Sequence, residues 1–424
     1  MKFDRKVMLT AIVSVVLGAG AVELLHAQTT PPVFNAAMIN VKDEEGYKKD
    51  FLPQAQKMIK EGGGKYIAAL LRERGGITDP IRYGKTFTLV HDPLMWREAA
   101  DHLLTQTGVN VLYHTLVTAA LCDGDKVEGV EAWTKQGSAR VTAKLTIDAS
   151  GDADLAAMAG RETFMGHDGE VQNPMIFRLA GVDVERFRTR FGPDSILGDD
   201  VSQMIRNLHN SREYNLPRAK VFLFPTPRPG ELLCNCTRVI GCDGRELNPL
   251  RMEDLTEAEV EGRRQVREYA RFFRDRLEGC ENSFVNDTGV QIGVRQTRQV
   301  VGREMLLNDD VVEGRKSPDA VARSAWPIEL HSGEKPRLVW LCDDYYDIPF
   351  GCFVPRAGEG LLVAGRCLSA EHEAMASARV TAQCFSYGQA VGMAAAMALR
   401  AGVSARCRLR TCAIRCGAMA RFSD

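Results

Sequence analysis

Apolar and polar positions divide the chain into stretches of different texture. Val7 to Val22 is an almost continuously apolar run behind Lys2, Arg5 and Lys6, and it stops at Glu23. It falls short of the ~20 apolar residues that a spanning helix needs. With a cleavage point after Ala27, the run predicts an export signal over residues 1–27. Residues 28–67 follow as a Pro-containing leader, a strand-like stretch from Val33 to Val41, and a helical pattern ending at Gly62-Gly-Gly64. From Ala68 to Val403 the pattern alternates between strand and helix. Thr86–His91 predicts a strand, and Asp92-Pro93 a helix start, with Asp as N-cap and Pro in the first turn. That helix carries Leu94, Ala99, Leu103 and Leu104 on one side and ends at Gly108. Val109–Tyr113 predicts a buried strand, Leu116–Leu121 and Val127–Trp133 a hairpin about Asp123-Gly-Asp125, and Ala139–Ile147 another strand. A long helix is predicted between Arg251 and Leu277, opened by the capping-box pattern Thr256-Glu-Ala-Glu259. A helix of Ala, Gly, Ser and Met runs from Ser377 to Leu399, with Gly402 as its stop.

Composition narrows the classes. At 424 residues the chain exceeds the roughly 250–300 that one core serves, so two domains are expected. The 45% hydrophobic and 26% charged fractions are those of a globular protein and exclude global disorder. Lys+Arg 54 against Asp+Glu 55 offers no net field for nucleic acid or an anionic membrane surface, which points to a small-molecule partner and to no membrane contact beyond the export signal. Twelve Cys at no framework spacing read as reduced, buried thiols. Cys234-Asn-Cys236 with Cys242 lacks a C-x₂-C pair, so no metal site is expected there. The leader places the product in the periplasm or outside the cell if it is used, and in the cytoplasm otherwise.

The informative turns lie further on. Leu145-Thr-Ile-Asp-Ala-Ser-Gly-Asp152 is an apolar strand running into a tight turn, with Asp152 placed to cap a helix over Ala153–Ala159. Gly360-Leu-Leu-Val-Ala-Gly-Arg366 is a second buried strand ending in Gly-Arg, and Gly388 and Gly392 lie four apart on one face of the small-residue helix. Glycine at such turns lets a cofactor approach the backbone. Two turns far apart in sequence are thereby available to flank one ligand. In the Gly293-Val-Arg-Gln-Thr-Arg298 loop, Arg295 and Arg298 either bind an anionic substrate or orient the loop. His331 and His372 are the histidines best placed for proton transfer, each weighed against a structural role, whereas His167 reads as loop surface.

Ile147–Asp154 with Ala159-Gly160, Gly293–Arg298 with Gly302, Tyr346-Asp-Ile-Pro349, and Leu361–Ala370 through Ala374–Arg379 and Gly388–Gly392 together resemble the FAD-dependent oxidoreductases of the glutathione-reductase-like superfamily. The resemblance covers about residues 68–403. It implies an α/β fold, FAD as cofactor, and hydride transfer with a small organic substrate. Gly365, Arg366, Ser369, Ala370, Gly388 and Gly392 would meet the flavin end, and Ala149, Ser150, Gly151 and Asp152 would lie towards the ADP half. Arg295, His331 and His372 are the candidate catalytic residues.

Members of that superfamily open with a strand, a G-x-G-x-x-G turn and a helix that takes the pyrophosphate. Gly18-Ala-Gly20 has Glu23 in the third glycine position and reads as part of the signal core. Pro31-Pro-Val-Phe34, Gly46–Phe51 and Gly62–Tyr66 resemble instead the start of a small secreted ferredoxin-like family. The expected architecture is an incomplete FAD-binding Rossmann-like domain, 68–165 with 350–403, and an inserted α+β substrate domain, 166–349. An Arg- and Cys-rich tail, 404–424, closes the chain, and both junctions read as a fusion or a change of frame. The competing reading is a cofactor-free secreted remnant without activity.

Overall fold

The computed structural model describes residues 63–84, 86–165, 174–330, 337–339, 341 and 344–400. The expected export signal, residues 28–62, Gly18-Ala-Gly20, His167, His331, Gly402 and the tail lie outside the described residues.

Two hydrophobic cores organise the chain. The first is built on a parallel pair, Thr146–Asp148 beside Leu361–Val363, with Leu361 opposite Thr146 and Val363 opposite Asp148. Both strands are short; Leu361–Val363 is wholly apolar and buried, as a sheet strand covered on both faces must be, while Thr146–Asp148 ends in a buried carboxylate. An antiparallel meander of Leu116–Asp123, Lys126–Thr134 and Gly137–Thr142 packs beneath the pair, burying Val127 and Val130. Helices His372–Ala378 and Thr381–Arg400 cover it, contributing Met375, Tyr387 and Val391. The antiparallel pair of Ala320–Ser324 and Tyr346–Pro349 joins the same core, so Val300, Ala322 and Ile328 pack with the parallel strands.

The second core is α+β. Its antiparallel sheet runs Phe284–Thr288, Phe177–Ala180, Leu232–Asn235, Phe222–Pro225. Across it lies the helix Met252–Arg276, which buries Val266, Tyr269, Phe272 and Phe273 against Phe177 and Leu179. A small aromatic cluster of Tyr83, Phe222, Phe224 and Trp326 lies between elements of the two bodies.

Several expectations stand as read. Asp92 caps the helix Pro93–Gln106, its Oδ1 accepting from the N–H groups of Leu94 and Met95 at 2.8 and 3.1 Å. The hairpin about residues 123–125 forms, and Cys234 and Cys236 are fully buried, whereas Cys242 and Cys122, also expected to be buried, are exposed. Others are corrected. Val109–Tyr113 forms no strand, because no neighbouring strand supplies hydrogen bonds, and Leu112 and Tyr113 are more than half exposed. The strand from Thr86 ends at Thr88, and the one expected over Ala139–Ile147 is two, Gly137–Thr142 and Thr146–Asp148. The long helix starts at Met252, and Thr256 lies inside it, donating its hydroxyl to the Met252 carbonyl. The small-residue helix is two, broken at Arg379-Val380.

Candidate functional site

Both signature turns stand at the carboxyl ends of the parallel strands. The register fixes this: the Ala364 N–H donates to the Asp148 carbonyl at 2.9 Å, one step beyond the last strand pair. Ligands of open α/β sheets bind at that edge.

The Ala149-Ser150-Gly151-Asp152 turn is held from within. Asp148, 3% exposed, accepts the Ser150 N–H at Oδ1 and the Ala156 N–H at Oδ2, each at 2.9 Å. One carboxylate thus ties the strand end to the first turn of helix Asp154–Met158. Asp152 is not the cap of that helix; Ser150 Oγ instead accepts from the N–H groups of Asp152 and Asp154, at 3.3 and 3.0 Å. The Asp152 carboxylate turns outward, where its Oδ1 accepts from Arg366 Nη2 at 2.9 Å and from Thr297 Oγ1 at 2.5 Å. Gly151 has φ +83°, and a Cβ there would lie 2.4 Å from Arg366 Nη1. The guanidinium of Arg366 therefore lies flat on the glycine turn.

The Gly293–Arg298 loop docks on the same turn. Arg298 Nε donates to the Asp152 carbonyl at 3.0 Å, and its Nη2 pairs with Asp154. The next residue, Gln299, is fully buried and donates from Nε2 to the carbonyls of Leu368 and Ala370, both at 2.9 Å. Gln299 Oε1 accepts from Gln296 Nε2 at 2.7 Å, and Gln296 Oε1 lies 3.1 Å from His372 Nδ1, which donates when it carries the ring proton. Tyr346 bonds to the covering helix His372–Ala378 instead, its hydroxyl 2.7 Å from Ser377 Oγ. Segments separated by more than two hundred residues form one hydrogen-bonded unit.

On the Gly-Arg side, Gly365 has φ +75° and nothing within 4 Å of where a Cβ would stand; Gly388 is equally open. Gly392 is buried in the helix. Ser369 is fully buried, yet its Oγ has no hydrogen-bond partner, and neither does the enclosed Nε of Arg366. An open surface at two glycines beside two orphaned polar atoms fits a planar, polar-edged cofactor. Ala370 closes this segment, its carbonyl taken by Gln299. Arg295 projects from the docked loop among other guanidinium groups, and burial with the charges of Arg379 and Arg218 pulls it down to about 9. A separate cavity of about 420 Å³, lined by Cys242, Glu253, Thr256, Glu257, Val260 and Glu261, shares no residue with this cluster.

Sequence reasoning found the turns but missed what fixes them: Asp148, Thr297 and Gln299. Asp148 carried a readable signal, a carboxylate at the last position of an apolar strand. The partners of Gln299 carried none.

A cluster of this kind, with glycine turns at the carboxyl ends of adjacent parallel strands, defines a cofactor-binding α/β protein. The chain belongs to the FAD-dependent oxidoreductase family, whose model matches residues 36–411, and its cofactor is FAD. The match takes in part of the segment before residue 68 and the start of the tail. No curated protein matches the chain. Among solved structures, it is similar to a p-nitrophenol 4-monooxygenase from Pseudomonas putida at 13% identity and TM-score 0.35. The alignment covers 59% of this chain and 59% of that one, less than two thirds of that enzyme's length. It is also similar to the flavin-dependent brominase Bmp2, at 14% identity over 91% of this chain and 74% of that one, with TM-score 0.42. The myxobacterial chondrochloren halogenase CndH gives 11% identity, 92% and 70% coverage and TM-score 0.41. Among the described residues no helix is long and apolar enough to cross a membrane.

Proposed function

We propose that the protein is a flavoenzyme of the glutathione-reductase-like type, transferring a hydride equivalent between FAD and a small organic substrate. The observation that carries this reading is the joining of three distant motifs at one sheet edge, with Asp148 and Gln299 as its fasteners. Bound FAD supplies two-electron chemistry that side chains lack. The chain's own residues then hold and shape. Gly365 and Gly388 leave room for the flavin end. Ser369 Oγ and Arg366 offer polar contacts there, and the Arg366 charge favours an anionic reduced cofactor. Ala149 to Asp152 lie towards the ADP half, with Asp152 positioned by Thr297. His372, oriented by Gln296, is the described histidine nearest this unit for holding a proton. In this reading residues 68–165 with 350–403 form the cofactor domain, joined in its core by the strands within 298–349, and the rest of 166–349 forms the substrate domain.

The test is direct. Purified protein is denatured and the supernatant assayed for flavin absorbance and fluorescence. About one FAD per chain is expected; a flavin-free protein that also fails to take up added FAD refutes the proposal.

A further inference from the structure

The hydrogen bonds that lead from the strand edge to His372 have a direction, and it begins at the backbone. The Ser369 N–H donates to the Cys352 carbonyl at 2.9 Å, and the Ser369 carbonyl accepts from the Leu306 N–H at 3.1 Å. The Glu371 N–H then donates to the Leu306 carbonyl at 2.8 Å. Ser369 is thus pinned on both sides, which fixes the carbonyls of its neighbours Leu368 and Ala370. Both accept from Gln299 Nε2 at 2.9 Å.

A carbonyl oxygen accepts and never donates, so the end of the fully buried Gln299 amide that meets these two is its NH₂ group. The Gln299 oxygen therefore faces Gln296, itself 5% exposed, and admits only a donor there: Gln296 Nε2, at 2.7 Å. That turns Gln296 Oε1 towards His372 Nδ1, 3.1 Å away. An amide oxygen offers no hydrogen, so the ring nitrogen bonded to it carries one. Reversing both amides would set two buried carbonyls against an oxygen, a larger loss than moving a proton between ring nitrogens.

The ring is anchored as well as its proton. His372 opens the helix His372–Ala378, and Asn308 ties down that start. Its Oδ1 accepts from the Ala374 N–H at 2.9 Å, and its N–H donates to Glu371 Oε2 at 2.7 Å. On the other side of the relay, Thr297 and Arg298, next to Gln296, bond Asp152 of the glycine turn. The imidazole and the turn thereby share one frame.

We propose that Gln299 and Gln296 are positioning residues that hold the neutral His372 ring with its proton on Nδ1, leaving Nε2 as the proton-accepting atom. Unconstrained neutral histidine favours the opposite form, so the relay inverts an intrinsic preference. The consequence rests on the flavoenzyme reading: such a ring takes a proton at Nε2 and has none to give there. A substrate C–H bond then breaks with its electron pair and hydrogen passing to FAD, the adjoining O–H or N–H bond breaks with its proton passing to Nε2, and a C=O or C=N bond forms.

The experiment reads the ring directly. The full chain as purified, labelled in its histidine ring nitrogens, is studied by long-range proton–nitrogen correlation NMR at about pH 8, above the ordinary histidine range. His372→Gln identifies the signals. A protonated, pyrrole-type Nδ1 and a bare, pyridine-type Nε2 are expected, and a proton on Nε2 or on both nitrogens overturns the inference. Gln296→Leu and, separately, Gln299→Leu are expected to move the His372 proton to Nε2, wholly or in part, with the other histidine signals unmoved. An unshifted ring in either folded variant removes the relay, and where a variant fails to fold the unmutated chain decides. Flavin content of the same sample separates the two readings. Flavin-free protein that still holds Nδ1–H keeps the relay and refutes the flavoenzyme reading, and flavin-loaded protein with the proton on Nε2 does the reverse.

Discussion

Replacing Asp148 with Asn isolates the fastener of the Ala-Ser-Gly turn. The side chain is 3% exposed and each oxygen accepts one backbone N–H at 2.9 Å. In Asp148→Asn the shape is kept, but whichever way the amide sits, one N–H meets an NH₂ group. A hydrogen bond to a charged group contributes about 1.5–3 kcal/mol, and a stranded buried donor costs about 1–3 kcal/mol. Neutralising the carboxylate removes its own desolvation cost, which offsets part of the loss. The expected destabilisation is about 2–4 kcal/mol. Urea unfolding checks it as a lowered midpoint at unchanged slope. Because the same turn carries Ser150, Gly151 and Asp152, FAD retention should fall in parallel even under conditions where the variant is folded. A midpoint shift worth under about 0.5 kcal/mol would refute the reasoning, since two short buried bonds to one carboxylate cannot then be holding the turn.

Gly388→Leu meets open space, so far-UV circular dichroism should be unchanged while flavin is lost; full flavin content would mean that the glycine faces only solvent. Arg366→Met should weaken FAD binding by about 1.5–3 kcal/mol in a titration, while its partly exposed pair with Asp152 limits the apo-protein loss to about 1 kcal/mol. Equal FAD affinity would remove Arg366 from the cofactor site. His91, stacked on Trp96 with centroids 4.3 Å apart, is pulled down to about 4 by burial, from an ordinary 6.5. As pH falls through 6.5 the unfolded chain takes a proton that the folded one refuses until about 4, so stability drops by up to about 3 kcal/mol across that window. His91→Phe should flatten that slope, and an unaltered slope would count against the assignment. Gln299→Leu strands the Leu368 and Ala370 carbonyls, and a loss of about 2–4 kcal/mol in urea unfolding is expected.

What was legible in the sequence was local. Asp92-Pro93 announced a helix because the cap and its N–H partners lie within three residues, and Asp123-Gly-Asp125 announced a hairpin for the same reason. The glycine turns were legible because close approach needs glycine wherever it occurs. Errors arose where an outside partner decides. Val109–Tyr113 is apolar enough for a strand, but no strand pairs with it. Asp152 sits at a cap position, yet Arg366 and Thr297, both more than a hundred residues away, draw its carboxylate outward. Thr256 carries a capping-box pattern and is overruled by a turn of helix before it, where Glu253 and Asp254 supply acid at the helix start.

The relative placing of Arg218, Arg295 and Arg379 was illegible for a deeper form of that reason. Arg218 is set by the second sheet through Asn235, Arg295 by a loop anchored on Asp152, and Arg379 by a helix break in the first core. No two of them are positioned by the same local structure. Their relative placing exists only once the two bodies are packed together, and the loop 293–300 is the joint. Its start packs with the second core through Ile292 and Val294, while Val300 is buried in the first. Thr297, Arg298 and Gln299 clamp it to the glycine turn. That clamp ties the end of the second core to the glycine turn, so loosening the turn should loosen the loop as well.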